Sequence, residues 1–206
     1  MQVRTKPTGR GGRPRKFDEA EALRNMQRQL WTTGLSGVSL DGIARSAGLN
    51  RPSLAAAFGN KDAIYAQAAA QFAAMMDARL SEAIGIADLG VALKAAFDAA
   101  IDIYTSDGPD GCFVICTAPA EALTNPVCRT ILDQSLETID AFFLRRLELD
   151  QGRMTASPAD LPLLAAQLGA TLHSLALRAR AGWSPERLRS LAAGTVRQVI
   201  GEGRTP

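Results

Sequence analysis

The stretch VSLDGIARSAGLNRPSL, residues 38–54, decides the fold. Ser39 is a natural N-cap for a short helix with Leu40, Ile43, Ala44 and Ala47 on one side. Gly48 stops that helix, and Asn50 caps a second one in which Pro52 sits where backbone donors lack helical partners anyway. Two helices at about 39–47 and 50–58, joined by a tight glycine turn, have the size and spacing of a helix-turn-helix. Val38, Leu40, Ile43, Ala44, Leu49, Leu54 and Phe58 would pack its inner side. Arg51, Ser53, Ala56 and Ala55 would face outward. Spacing alone leaves two readings open, a pair reading the DNA major groove through Arg51 or an antiparallel helix pair inside a bundle core.

Working outward, the same logic runs the length of the chain. Upstream, Asp18 caps a helix that Gly34 ends, with Ala20, Leu23, Gln27, Leu30 and Trp31 at helical spacing and one polar member, Gln27. Downstream, Asn60 caps a fourth helix reaching about Gly85, long enough to link two lobes. Further helices are predicted at about 89–106, 112–122, 126–149, 158–181 and 185–200. Their breaks are the 106–111 loop, Asn125-Pro126, the 150–157 loop and the Gly182-Trp183-Ser184-Pro185 turn. Nine helices and no convincing strand result. Composition agrees: 36 alanines stand against 17 valines plus isoleucines, and alanine favours helix where β-branched residues favour strand. The fold class is therefore all-α, with an N-terminal helix-turn-helix domain and a larger helical domain.

The formal net charge of +2 hides an asymmetry. Residues 1–60 carry a net +6 and the remainder −4. A basic end on a mildly acidic body is the footprint of nucleic-acid binding, because neutralising phosphates releases counterions. Residues 1–16 hold six bases, no acids and several Gly and Pro, a composition unable to bury a core, and are expected to form a flexible basic arm. Domain organisation is then 1–16 arm, 17–65 helix-turn-helix domain and 66–206 larger helical domain, the last being the part to which the family resemblance given below assigns ligand binding and dimerisation.

Several classes are disfavoured. The longest apolar run, about Cys112–Ala120, falls well short of the roughly 20 residues a bilayer span requires, and no signal-peptide pattern opens the chain, so no membrane partner and a cytoplasmic location are expected. Three cysteines without a CxxC pair suit reduced thiols, and the single histidine, His173, leaves no ligand set for a metal and no triad for catalysis. No cofactor motif is present, and the protein is not expected to be an enzyme. The competing hypothesis is an all-α enzyme for a small hydrophobic substrate with an incidental basic tail. A third is an architectural DNA protein without an effector.

Residues 12–68, GRPRKFDEAEALRNMQRQLWTTGLSGVSLDGIARSAGLNRPSLAAAFGNKDAIYAQA, closely resemble the N-terminal DNA-binding domain of the TetR family of bacterial transcriptional regulators. The most specific parts are VSLDGIARSAGLNRPSL and the FGNKDAI start of the fourth helix. The resemblance implies a homodimeric regulator, usually a repressor, whose larger lobe binds a small effector that changes affinity for a double-stranded operator. Position by position it gives Ser39 the cap that touches phosphate, Arg51 and Ser53 places on the recognition helix, and Lys61 a phosphate contact. Ala55, Ala56 and Ala57 depart from the family, which usually carries an aromatic there, most often at the position of Ala55. The arm's GRPRK resembles the core of AT-hook peptides, which brings Arg13, Arg15 and Lys16 in as DNA contacts in a narrow A·T minor groove or as nonspecific phosphate contacts.

In the larger lobe, Met75, Phe97, Ile101, Tyr104, Phe113, Cys116, Phe143 and Gln167 are expected to line a ligand pocket, against the alternative of ordinary core. Ala165, Leu168, Gly169, Leu172, Leu175 and Ala176 offer a small apolar stripe for a dimer interface or, alternatively, an intramolecular face. Cys112 opens a helix, where unpaired amide donors can lower a thiol pKa, which makes it a candidate ligand or electrophile contact with Cys116 one turn on.

Overall fold

The computed structural model describes residues 17–106, 108–150 and 157–201, and among these nine α-helices and no strand are found. They are α1 (Glu19–Thr33), α2 (Leu40–Ser46), α3 (Arg51–Phe58), α4 (Lys61–Ile84), α5 (Leu89–Tyr104), α6 (Phe113–Glu121), α7 (Pro126–Glu148), α8 (Leu161–Arg180) and α9 (Pro185–Ile200). Side-chain caps hold most of these starts. Asp18, Ser39, Asn50, Asn60, Asn125 and Ser184 each accept a first-turn backbone N–H through the side chain, and Gly34 and Gly59 close α1 and α3 with positive φ. One boundary differs: 158–160 is a 3-10 turn, and α8 starts at Leu161. Pro162 falls in its first turn, where a missing N–H costs nothing.

Helices α1–α3 pack around Met26, Leu30, Ile43 and Leu54, all fully or almost fully buried. The polar Gln27 in the apolar stripe of α1 has a use: its Nε2 donates to the carbonyl of Ala68 on α4 at 2.6 Å. That bond and an aromatic cluster join the helix-turn-helix to the larger body. Trp31 of α1 meets Phe72 of α4 edge-on at 5.1 Å and Phe113 of α6 at 6.1 Å, and Tyr65 lies 5.2 Å from Phe113. Rings at these separations and tilts contribute roughly 0.5–1.5 kcal/mol per pair beyond their buried area.

The stripe of α8 offered above as a dimer face is occupied within one chain: Ala165, Leu168, Leu172, Leu175 and Ala176 are at most 1% exposed, and Gly169 is buried. An ideal Cβ on Gly169 would lie 2.3 Å from Asp140 Oδ1, so the glycine lets α7 and α8 approach closely. The intramolecular alternative is the observed one. What α8 leaves to solvent is the opposite face, where Leu163 and Leu177 are exposed.

Candidate functional site

The helix-turn-helix surface is built by backbone capping. Gly48 takes φ +66°, and Leu49 N then donates to the Ala44 carbonyl at 2.8 Å, closing α2 and turning the chain into α3. Asn50 Oδ1 accepts from Ser53 N at 2.9 Å, which aims the first turn of α3 outward. Arg51, Ala55 and Ala56 are exposed there and Ser53 is half-buried, while Leu54 and Phe58 face the core. Ser39 accepts from Gly42 N at 3.1 Å, so its hydroxyl hydrogen remains able to donate outward. Lys61 opens α4 and is half-buried. Arg13, Arg15 and Lys16 lie outside the described residues.

Arg51 is not a bare cation. Its Nε sits 2.8 Å from Oδ1 of Asp41 in the first turn of α2, with both side chains more than half exposed. An exposed pair of this kind is worth only about 0.2–1 kcal/mol, enough to orient the guanidinium and little enough to yield to a phosphate or base edge. Asp41 is not among the residues that the sequence singles out. The i-to-i+10 separation of a helix-turn-helix is the signal that would have found it.

The larger body holds a cavity of about 330 Å³ walled by α4, the end of α5, the start of α6, α7 and α8. Its lining is mostly apolar: Phe72, Met76 and Leu80 from α4, Ile131, Ile139 and Phe142 from α7, and Leu172 from α8. Polar groups enter from Tyr104, Cys112, His173 and an α7 strip of Gln134, Ser135 and Thr138, with Asp77 and Arg145 also on its wall. Of the expected pocket residues, Tyr104 and Cys112 line it. The others are placed elsewhere. Met75 is exposed and its neighbour Met76 faces in; Phe97 and Phe143 stack on each other at 5.5 Å in the core, and Phe142 faces in. Ile101 is fully buried away from the cavity, Phe113 belongs to the aromatic cluster, Gln167 is exposed, and Cys116 is half-buried beside Arg180. Among the missed residues, those of α7 share one spacing, Ile131, Ser135, Thr138 and Phe142, so a mixed stripe at helical period was the available signal there.

Burial governs the electrostatics. It pushes the Cys112 thiol up to about 12, and the opposing backbone N–H groups of Ile115 and Val114 do not compensate. The expected activation of Cys112 is therefore corrected: the helix start is present, but desolvation of the thiolate outweighs its donors. Burial likewise holds the Tyr104 phenol protonated and moves the His173 imidazole below its ordinary value, with Asp140 pulling the latter back.

Helix α6 spans the distance between the two sites: its N-cap Cys112 and first-turn Val114 line the cavity. At its far end the Glu121 carboxylate accepts from Ser36 N at 2.9 Å and Ser36 Oγ at 2.6 Å in the α1–α2 loop. Asn125 donates to Asp62 of α4 at 2.9 Å, and Arg180 of α8 donates to the Trp31 carbonyl at 2.5 Å.

An all-helical body carrying an outward helix-turn-helix with an arginine at the start of its second helix defines a helix-turn-helix regulator. Comparison with known proteins supplies the family. The model of bacterial regulatory proteins of the tetR family matches residues 27–68. The HTH-type transcriptional repressor ComR of Escherichia coli (strain K12) is 28% identical over 195 residues, 90% of each chain. A cysteine mutant of the TetR family transcriptional regulator CifR, solved with 26 bp double-strand operator DNA, is 25% identical with a TM-score of 0.80, over 90% of this chain and 98% of that one. The reduced form of E. coli NemR shares the fold at a TM-score of 0.71 and 20% identity, over 88% of this chain and 96% of that one. The match over residues 27–68 and the likeness over nine-tenths of the chain are to the TetR family of bacterial transcriptional regulators. Fold and family are those of a DNA-binding regulator rather than an enzyme, and among the described residues no helix is long and apolar enough to cross a membrane.

Proposed function

We propose that this protein is a cytoplasmic, effector-responsive repressor that binds a palindromic operator as a homodimer and leaves it when a small molecule enters the cavity. Residues 17–65 contact DNA, with Arg51 at base edges or phosphate and Ser39, Ser53 and Lys61 on the flanking backbone, helped by Arg13, Arg15 and Lys16 of the arm. Residues 66–206 hold the effector and the partner protomer. The relatives' printed roles support this: ComR is a repressor, and CifR was solved on operator DNA. The observation that carries the reading is the span of α6, from the cavity wall at Cys112 and Val114 to the Glu121–Ser36 hydrogen bonds at the helix-turn-helix. A ligand that widens the cavity displaces α6, and Glu121 passes the shift to the loop that sets α2 and α3.

The exposed face of α8, with Leu163 and Leu177 beside α9, is the surface proposed for the partner protomer. Release by a noncovalent ligand is favoured over release by an electrophile, since the thiolate is the reacting species and Cys112 is held protonated. The test is selection of bound duplexes from a random-sequence pool, followed by sedimentation of protein and complex. The reading requires an enriched inverted repeat and a two-protomer complex. Recovery of unenriched sequence, or of a monomer on a single half-site, contradicts it.

A further inference from the structure

Two buried polar atoms on the cavity wall have no hydrogen-bond partner, the Tyr104 hydroxyl and Nε2 of His173. Tyr104 is 1% exposed. An unpaired buried hydroxyl costs free energy, and native structures seldom leave one without a use. Most of the remaining lining is apolar or uncharged: Phe72, Met76, Ile139 and Leu172 supply hydrocarbon and Cys112 a protonated thiol, while the Asp140 carboxylate acts on His173 from α7. No buried cation faces them to offset the desolvation of an anion. Arg145 also lines the cavity, but it is exposed, and Asp77, exposed as well, supplies the opposite charge.

We propose that the cavity binds a small, uncharged, mostly apolar molecule with one hydroxyl or carbonyl oxygen, which accepts the Tyr104 O–H and, if a hydroxyl, pairs with Nε2 of His173. The volume of about 330 Å³ lies at the small end of the roughly 300–1,000 Å³ of small-molecule sites, which suits a single-ring or short-chain compound. Burial keeps the phenol protonated, so its O–H has a proton to give to a ligand oxygen, while its own lone pairs stay able to accept. This identification rests on the cavity being the effector site, and the experiment separates the two.

The probes are p-cresol, acetophenone, toluene and benzoate, titrated calorimetrically into the full-length protein and its Tyr104→Phe and His173→Leu variants. p-Cresol and acetophenone are expected to bind about tenfold more tightly than toluene, with benzoate weakest. Tyr104→Phe should abolish the advantage of both oxygenated probes. His173→Leu should reduce that of p-cresol while leaving acetophenone almost unchanged. Tyr104→Phe removes a hydroxyl that bonds to nothing, so its Tm should equal or exceed that of the wild type, which excludes misfolding as the cause. Equal affinity for p-cresol and toluene, tightest binding by benzoate, or no Tyr104 dependence overturns the proposal. Operator release is measured in parallel: Tyr104-dependent binding without release upholds the ligand class and refutes the effector role.

Discussion

The helix-turn-helix surface and the cavity solve opposite problems. Around α3 the working groups are exposed, and a charge already has a partner: Arg51 rests on Asp41 until phosphate or a base edge replaces it. Around the cavity the working atoms are buried and lack partners, as with Tyr104 and His173. Solvent screens the exposed charges of the first site, whereas the Tyr104 hydroxyl and His173 Nε2 of the second are buried. Function at the surface should therefore respond to salt and charge, and function in the interior to burial and shape.

The largest expected effect sharpens the surface half. Four cations in a dimer, Arg51 and Lys61 from each protomer, give a slope of log affinity against log salt of about −3.6 before any contribution from the arm. A slope near zero in operator titrations by anisotropy would break the comparison. Next, Arg51→Ala should cost about 1–3 kcal/mol and relax preference at one operator position, whereas Lys61→Ala should weaken all sequences alike. Asp41→Asn should act in the opposite sense, strengthening DNA binding by no more than about 1 kcal/mol as the competing partner is removed.

The two regions were also unequally legible. Capping is local, so Asp18, Ser39, Asn50 and Asn60 placed α1–α4 almost to the residue, and the outward side of α3 followed from Leu54 and Phe58 at helical spacing. The cavity depends on the rotation of one helix against another. A choice between Met75 and Met76, or Phe142 and Phe143, turns a side chain by about 100°, and composition carries no such phase. Gly169 shows the difficulty: as part of an apolar stripe it suggested a subunit interface, yet its use is to admit Asp140 of α7. Cys112 failed for a related reason, since its helix start is visible in sequence and its burial is not.

That thiol offers the next test, on the interior half. With burial pushing the Cys112 thiol up to about 12, the thiol form dominates at pH 8. Iodoacetamide should modify Cys116 first, because it is half-buried and Arg180 opposes its upward shift, and should reach Cys112 and Cys128 much later. Mass spectrometry showing Cys112 alkylated first would restore the activated-thiol reading. The smallest effect concerns His173. Its folded pKa is lowered, so the unfolded chain takes up the proton first, and stability falls as pH drops below about 6.5. His173→Gln should flatten that part of a denaturation-midpoint profile, and an unchanged profile would mean that the imidazole is not desolvated.

The central claim is that two symmetry-related helix-turn-helix units read DNA together under control of the cavity. Its most direct test uses the selected operator and a version with five base pairs inserted between the half-sites. Two recognition helices reach successive major grooves only when the half-sites lie about 34–36 Å apart or a whole number of turns beyond, so a half-turn insertion moves one to the far side of the duplex. Affinity is expected to drop to that of an isolated half-site. Equal affinity for the two duplexes would contradict the account.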